Sequence, residues 1–366
     1  MAFMKWSSAM ARLGEQIPIT ILTGFLGAGK TTLLQRILSE KHGKKIAVVE
    51  NEFANLDIDA NLVKSKTDLL VELFNGCVCC SIQGELVESL LEIAKREDRV
   101  DHILIETTGV ANPSNLVKSF LTDHLMCALF RLDAVITVVD AKHFPLHVEE
   151  SQDFRDQIAF ADLLILNKTD LVGEAELDQV ESAARGINQA AEVVRTNMCS
   201  LPLERVFDRS EYQNSTIRPE RIAAGRGTDL PSLVSSLSLE ISGELDQEKF
   251  MKWMESFVAV NHEKMFRTKG ILWFAGMTKH VVLQGVHAIF SVSLSEAVLL
   301  EKGKGRIVFI GRDLPRDQIM AGIKQALPAF STAGLDAFVL SPVGQPKSPL
   351  FLSKTEFSED LRIRIV

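Results

Sequence analysis

The chain has 366 residues, of which 46% are hydrophobic and 24% charged, a composition typical of a globular protein large enough for two domains. Its net charge is −8, with 40 basic and 48 acidic residues and no basic block, which argues against nucleic acid as a partner. No apolar run reaches the roughly 18 residues that span a bilayer, so we expect no membrane association.

The number and spacing of the cysteines indicate a reducing compartment. Five are present, and three of them crowd into positions 77–80. An odd, clustered set fits a metal or redox site better than a disulfide framework, so a cytoplasmic location is expected. Residues 1–16 have no apolar core of secretory length, and organelle targeting is the alternative to a plain N-terminal extension.

In the first half of the chain, short β-branched apolar runs alternate with longer helical patterns. The predicted strands are 17–23, 45–49, 102–106, 134–140 and 163–167. The predicted helices are 32–40, 83–96, 115–122, 152–160 and 174–184. Because the strands lack polar alternation, we expect both of their faces to be covered, as in a mostly parallel sheet flanked by helices. The fold class predicted for this half is α/β.

The pattern changes after residue 209. A polar, aperiodic stretch predicts a linker over 210–235, and the order β-α-β-β-β-α predicts a smaller α+β domain over 236–330. The predicted strands there are 237–241, 270–274, 280–286 and 306–310, and the predicted helices are 246–259 and 315–327. The whole chain then comprises an extension (1–16), a first domain (17–209), the linker, the second domain and a tail (331–366).

Residues 24–31, Gly-Phe-Leu-Gly-Ala-Gly-Lys-Thr, lie between a predicted strand and a predicted helix, as a phosphate-binding loop (P-loop) requires. Glycines let the backbone wrap a β-phosphate, and the helix dipole adds attraction. The residues predicted to bind phosphate are Gly24, Gly27, Ala28, Gly29, Lys30, Thr31 and Thr32. We assign Lys30 a catalytic role on the β- and γ-phosphates and Thr31 a role as Mg²⁺ ligand. The first domain is therefore predicted to be a P-loop NTPase.

Asn167, Lys168 and Asp170 follow another buried strand and predict guanine recognition. A carboxylate at Asp170 can accept hydrogen bonds from guanine N1–H and the exocyclic amine, whereas adenine offers no matching donor pair. A turn with a helix cap is the alternative. This pattern favours GTP and argues against a small-molecule kinase or ATPase.

The string Glu106-Thr-Thr-Gly109 ends the strand predicted over 102–106. Glu106 is expected beside Mg²⁺, where it is a second catalytic candidate that orients the attacking water or holds a metal-bound water. Gly109 can offer its N–H to the γ-phosphate. A solvent-exposed strand end is the alternative.

Cys77, Cys79 and Cys80 place three soft ligands in one short loop, and Gly76 can supply the turn that brings them to one ion. Thiolates suit Zn²⁺ and also bind other transition metals. Three protein ligands leave a coordination position open, which suits metal transfer, and Glu50 is a candidate additional ligand. The alternatives are buried cysteines used as small hydrophobes, or a redox role.

Together these strings resemble the CobW-type family of metal-handling P-loop GTPases. The resemblance is carried by residues 23–32, 50–53, 75–80, 106–109 and 167–170, and in the second domain by 267–273, 284–285 and 308–311. It implies slow GTP hydrolysis to GDP and phosphate, binding of zinc or another transition metal at the Cys-x-Cys-Cys loop, and delivery to client metalloproteins. The chain has Ala54-Asn55 where the family usually has Gly-Glu, and Asn112 where Asp often precedes the proline.

The leading hypothesis is therefore a GTP-dependent metallochaperone for a client metalloprotein, with GTP, Mg²⁺ and Zn²⁺ as cofactors. GTP would order the thiolate loop, and hydrolysis would loosen the ion. The alternative is an enzyme-activation or cofactor-insertion GTPase with a structural metal, and a homodimer is left open. His143 and His147 are expected at the surface or in a cap, with auxiliary metal ligation as the alternative, and Cys127 in the core.

Overall fold

The structure, a computed structural model, describes residues 16–50, 69–72, 82–96, 98–109, 111–212, 234–295, 301–327, 335–339 and 361–365. The chain divides into two compact units. One comprises residues 1–181 and 191–213, and the other comprises residues 182–190 and 214–366. Each contains a sheet of its own.

The strands of the first sheet are β1 (Ile17–Gly24), β2 (Ile46–Glu50), β3 (Leu69–Glu72), β4 (His102–Glu106), β5 (Phe130–Asp140), β6 (Leu163–Asn167) and β7 (Glu192–Arg195). They form one parallel sheet in the order β3-β2-β4-β1-β5-β6-β7. Every residue of β4 and β6 is buried, so both faces of the sheet are covered there. The predicted α/β class with a mostly parallel sheet is confirmed.

The helices that flank this sheet in the sequence are α1 (Lys30–Ser39), α2 (Ile82–Lys95), α3 (Ser114–Thr122), α4 (His124–Leu129), α5 (Phe144–Glu150), α6 (Gln152–Phe160) and α7 (Glu174–Ile187). Apolar residues at helical spacing turn one face of α1 inward, where Leu33, Leu34 and Ile37 are fully buried. Four elements have no counterpart in the prediction: β3, β7, α4 and α5. Each has only four to seven residues, too few for a periodic pattern to show.

The second unit contains the strands β8 (Val234–Ser242), β9 (Met265–Leu272), β10 (Val281–Val286), β11 (Ile289–Leu294), β12 (Lys304–Arg312), β13 (Leu335–Val339) and β14 (Leu361–Ile365). Their order is β11-β10-β9-β12-β8-β13-β14, antiparallel except for the β13–β14 pair. Helices α8 (Gln247–Asn261) and α9 (Arg316–Gln325) contribute Phe250 and Ile323 to a core that includes Phe309 of the sheet.

The predicted α+β class of this unit is confirmed, but it has more strands than β-α-β-β-β-α. The additional strand β11 follows β10 after a two-residue turn, and its alternating apolar and polar side chains are typical of a hairpin. Strands β13 and β14 lie in the predicted tail, where β13 pairs with β8. Strands β13 and β14, unlike β11, pair with strands that are distant in the sequence, β8 and β13 respectively.

Asp133 holds the end of the first unit in place. Its fully buried carboxylate accepts backbone N–H groups from Arg209 at 3.0 Å and Ser210 at 2.7 Å, and Arg131 Nη1 at 3.1 Å. The held segment is strained, because Asp208 and Ser210 both have a φ of 54°. One carboxylate therefore offsets the cost of an unfavourable backbone conformation.

Replacing Asp133 with alanine is expected to lower the free energy of unfolding of this unit by about 3 kcal/mol, because two backbone N–H groups and a guanidinium lose their bonds to a fully buried carboxylate. Guanidinium-induced unfolding followed by circular dichroism measures this loss. Asp123→Ala is the matched control, since the exposed Asp123 also accepts two backbone N–H groups, those of Leu125 and Met126. We expect that variant to lose about 1 kcal/mol. Equal losses would contradict the role of burial.

Candidate nucleotide and metal site

The residues singled out by the sequence lie at the carboxyl ends of neighbouring parallel strands. Gly24 ends β1, Glu106 ends β4 and Asn167 ends β6. The register brings Leu22 opposite Glu106, and Asp140 opposite Asn167. Open α/β sheets bind their ligands at this edge, because loops and helix N-termini converge there.

The phosphate-binding loop has a backbone that only glycine can adopt at two points. Gly24 has a φ of 142°, and a Cβ there would lie 2.3 Å from the carbonyl oxygen of Val138. Gly29 has a φ of 114°, and a Cβ there would lie 2.4 Å from Asn167 Nδ2. The backbone of the loop therefore packs closely against the backbone of β5 and the Asn167 side chain of β6. Glycines without a side chain allow the backbone to surround a phosphate.

Lys30 is the first residue of α1 and is only 6% exposed. Its Nζ donates to the carbonyl oxygens of Gly24 at 2.9 Å and Phe25 at 3.4 Å, so the ammonium is held within the loop. No side chain caps the N-terminus of α1 at Gly29. Backbone N–H groups at a helix N-terminus, the helix dipole and a desolvated ammonium form a donor set that fits a phosphate group.

Asn167 connects the phosphate-binding loop with a segment that the sequence did not single out. Its Nδ2 donates to Ala28 O at 3.0 Å. Its Oδ1 accepts the N–H of Cys199 at 2.9 Å and the hydroxyl of Thr196 at 3.3 Å. Thr196 and Cys199 follow β7, and only a correct prediction of that exposed strand could have drawn attention to them.

Lys168 and Asp170 differ in their contacts and in their exposure to solvent. Lys168 has a φ of 62°, and its Nζ donates to Asp140 Oδ2 at 2.7 Å, where His143 Nδ1 also bonds at 2.9 Å. Burial by itself would raise the pKa of Asp140, but the hydrogen bonds from Lys168 and His143 outweigh it and lower that pKa. Asp170 is exposed in a turn that Thr169 ties down, so its carboxylate is accessible to a ligand.

The segment after β4 passes beneath the tip of the phosphate-binding loop. Glu106 is 4% exposed, so the alternative of a solvent-exposed strand end is wrong. Thr107 donates its hydroxyl to that of Thr23 at 2.9 Å. A Cβ on Gly109 would lie 2.7 Å from the backbone nitrogen of Leu26. Two segments predicted to meet the phosphates are thus in direct contact.

Magnesium would find hard oxygen donors at this edge. Thr31, the second residue of α1, is half-buried, and the carboxylate of Glu106 ends the neighbouring strand. A hydroxyl and a carboxylate, with phosphate oxygens, are the ligands that Mg²⁺ takes in nucleotide sites. The residues present therefore fit this ion.

The thiolate loop lies outside the described residues, but the strands before it are placed. Glu50 ends β2, in register with Glu72 of β3 on one side and Glu106 of β4 on the other. Cys77 follows Glu72, the last residue of β3, by five residues in the sequence. Among the described residues, no group of three His, Cys, Asp or Glu is arranged to hold a metal ion.

The two histidines have packing and hydrogen-bonding roles. His143 is exposed at the N-cap of α5 and bonds Asp140, while the ring of His147 lies 4.4 Å from that of Phe25, centroid to centroid. Cys127 is half-buried rather than fully in the core, and its Sγ donates to Phe120 O at 3.3 Å. Nothing in the described part of the chain joins these histidines to a three-ligand set.

Comparison with known proteins supplies the family. Residues 18–195 match the family described as "CobW/HypB/UreG, nucleotide-binding domain". Residues 234–327 match the family described as "Cobalamin synthesis protein cobW C-terminal domain". The chain belongs to the CobW family of metal-handling P-loop GTPases. The resemblance seen in the sequence is therefore confirmed, and with it a nucleotide-binding first domain.

Two relatives and one solved structure cover most of this CobW-family chain. The zinc chaperone YjiA of Escherichia coli (strain K12) is 34% identical over 314 residues, 83% of this chain and 97% of that protein. The zinc-regulated GTPase metalloprotein activator 1 of Schizosaccharomyces pombe is 31% identical over 351 residues, 82% of this chain and 84% of that protein. The crystal structure of Zn(II)-bound YjiA GTPase from E. coli matches with a TM-score of 0.68 at 29% identity, covering 86% of this chain and all of that one.

The helices placed by the structure bear on membrane association as well. Within the described ranges, none is both long and apolar enough to cross a membrane.

Proposed function

We propose that this CobW-family GTPase is a zinc metallochaperone. GTP binds at the phosphate-binding loop, and Zn²⁺ is a cargo held by Cys77, Cys79 and Cys80, with Glu50 as an additional ligand. Hydrolysis of GTP releases the ion to a client metalloprotein. The names of the relatives and the zinc-bound solved structure support zinc as the metal.

One observation carries the link between nucleotide and metal. Strands β3, β2 and β4 end side by side, with Glu72, Glu50 and Glu106 in register, and the thiolate loop follows β3 directly. Because β4 is also the neighbour of β1, a loop that leaves β3 begins three strand positions from the phosphate-binding loop, with β2 and β4 between them. A change at the γ-phosphate can therefore reach the metal ligands over a short distance.

In this proposal each residue of the nucleotide site has a separate role in binding or hydrolysing GTP. Lys30 exchanges its two loop carbonyls for oxygens of the β- and γ-phosphates, and the N–H groups of the loop hold the β-phosphate. Asp170 binds the guanine edge, Lys168 lies along the base, and Gly109 meets the γ-phosphate. Bound Mg²⁺, held through Thr31, neutralises phosphate charge, and Glu106 orients water at the strand end.

Zinc affinity should depend on the nucleotide, since the proposal requires the two sites to be coupled. Zn²⁺ is titrated into reduced protein against a chromophoric chelator, in Mg²⁺ with a non-hydrolysable GTP analogue and then with GDP. We expect about tenfold or greater tightening with the analogue, within the range usual for coupled sites. By linkage, zinc must raise the ratio of analogue affinity to GDP affinity by the same factor.

The variant Cys77→Ser/Cys79→Ser/Cys80→Ser should lose this zinc binding and keep its fold, while Cys127→Ser, a matched thiol elsewhere, should behave as wild type. Equal zinc affinity in both nucleotide states would remove the metallochaperone mechanism. Loss of folding in the triple variant would instead favour an enzyme-activation or cofactor-insertion GTPase with a structural metal.

A further inference from the structure

Two successive carbonyl groups of the phosphate-binding loop are held by side chains from elsewhere in the first unit. Ala28 O accepts Asn167 Nδ2 at 3.0 Å, and Gly29 O accepts the Cys199 thiol at 3.4 Å. In a trans peptide unit the C=O and the N–H point in opposite directions. Fixing these two carbonyls therefore fixes the N–H groups of Gly29 and Lys30, which point away from Asn167 and Cys199.

The position of Cys199 is fixed by burial and by hydrogen bonds from its own backbone groups. It is fully buried, its N–H donates to Asn167 Oδ1 at 2.9 Å, and its carbonyl accepts Arg36 Nη1 of α1 at 2.5 Å. Met198 and Cys199 both have a φ of 51°, a conformation that non-glycine residues keep only when surrounding contacts impose it. The turn at 198–199 thus presents the thiol to the phosphate-binding loop in one fixed position.

The thiol of Cys199 stays protonated. Burial raises its pKa to about 12, although the positive charges of Arg36 and Lys168 act in the opposite direction. Because a thiolate is the form that attacks electrophiles, Cys199 is not a nucleophile at neutral pH. It retains the S–H that donates to Gly29 O.

We propose that Cys199 is a positioning residue of the nucleotide site, which acts with Asn167 to aim the N–H groups of Gly29 and Lys30 at the β-phosphate of the bound guanine nucleotide. This inference rests on the nucleotide site proposed above. It adds a residue beyond the phosphate-binding loop and the guanine motif, on a segment that follows β7. The helix bond from Leu33 N also reaches Gly29 O, so the thiol contributes part of the orientation.

The test compares two thiols that make the same kind of bond. Cys199→Ala removes the bond to Gly29 O, while Cys127→Ala removes the bond to Phe120 O at 3.3 Å, at the opposite edge of the sheet. Dissociation constants for GDP, kcat for GTP and the ³¹P resonance of the bound β-phosphate are measured for both variants and for Cys199→Ser.

We expect Cys199→Ala to weaken GDP binding about three- to tenfold, the range for loss of one hydrogen bond, and to shift the β-phosphate resonance. Cys199→Ser keeps a donor and should restore affinity to within about twofold. Cys127→Ala should bind GDP as wild type does. The melting temperatures of the two nucleotide-free alanine variants should be similar, so that instability does not explain a difference between them.

Wild-type GDP affinity and an unshifted resonance in Cys199→Ala would overturn the inference. Equal weakening in Cys199→Ala and Cys127→Ala, in step with lower melting temperatures, would also overturn it, because the thiol would then be only structural. The variant Lys30→Ala distinguishes failure of the role proposed for Cys199 from failure of the proposed nucleotide site itself. If that variant binds GDP normally, the proposed nucleotide site fails; if it loses GDP while Cys199→Ala does not, only the role of Cys199 fails.

Discussion

Replacing Lys30 with alanine is expected to reduce kcat for GTP by at least about 100-fold, the size of effect seen when one donor to a developing negative charge is removed. Lys30 is buried and its ammonium already faces two loop carbonyls, so little water has to be displaced when phosphate oxygens replace them. Steady-state release of phosphate with saturating GTP and Mg²⁺ measures the loss.

Lys41→Ala is the matched control for Lys30→Ala. Lys41 is exposed just beyond the end of α1, so the same charge is removed close to the helix but outside the loop. We expect kcat within twofold of wild type in that variant, because exposed charges are screened by water and salt. A similar loss of kcat in both variants would mean that net charge, rather than the position of Lys30, controls hydrolysis.

Replacing Asp170 with alanine is expected to weaken GTP binding by at least about 100-fold, because two hydrogen bonds to a carboxylate are lost together. Asp170 is exposed, so the melting temperature of the nucleotide-free protein should change little. Fluorescence titration with a labelled GTP analogue gives the affinity. Wild-type affinity in this variant would show that Asp170 does not bind the base.

Asp170→Asn gives a sharper test of the same contact, because it should reverse the preference rather than only weaken it. Xanthine has a carbonyl oxygen in place of the guanine exocyclic amine, and an asparagine amide can donate to that oxygen while accepting from N1–H. We expect this variant to prefer XTP to GTP. Asp153→Asn, at an exposed aspartate of α6, should keep the wild-type preference for GTP.

The loop and the strand ends of the candidate site could be predicted because each is marked by residues that are neighbours in the sequence. The loop at 24–31 is contiguous, its glycines have the positive φ angles that their sequence positions suggest, and it follows a buried strand. The ends of β4 and β6 were likewise predicted, since a buried apolar run marks the strand and polar residues mark its end. Family membership followed from the same strings.

The contacts that organise this edge could not be predicted in the same way. Asn167 meets Ala28 across 139 positions, and Cys199 meets Gly29 across 170. The sequence predicts that Asn167 binds the nucleotide, and the structure adds that its side chain bonds to the loop and to the segment after β7. Asp133 has no local pattern, and its role exists only because residues 209–210 return to it.

The amino-acid sequence alone was enough to predict the two fold classes and the family, both of which are confirmed, and to predict the phosphate-binding loop, the guanine motif and the thiolate loop, because each is encoded in neighbouring residues or in a short period. The three-dimensional fold was needed to show that Asn167 and Cys199 bond to carbonyls of the loop, that Glu106 is buried, and that Glu50 stands in register between Glu72 and Glu106. These facts depend on which strands become neighbours, and strand order is set by long-range packing rather than by any local stretch of chain.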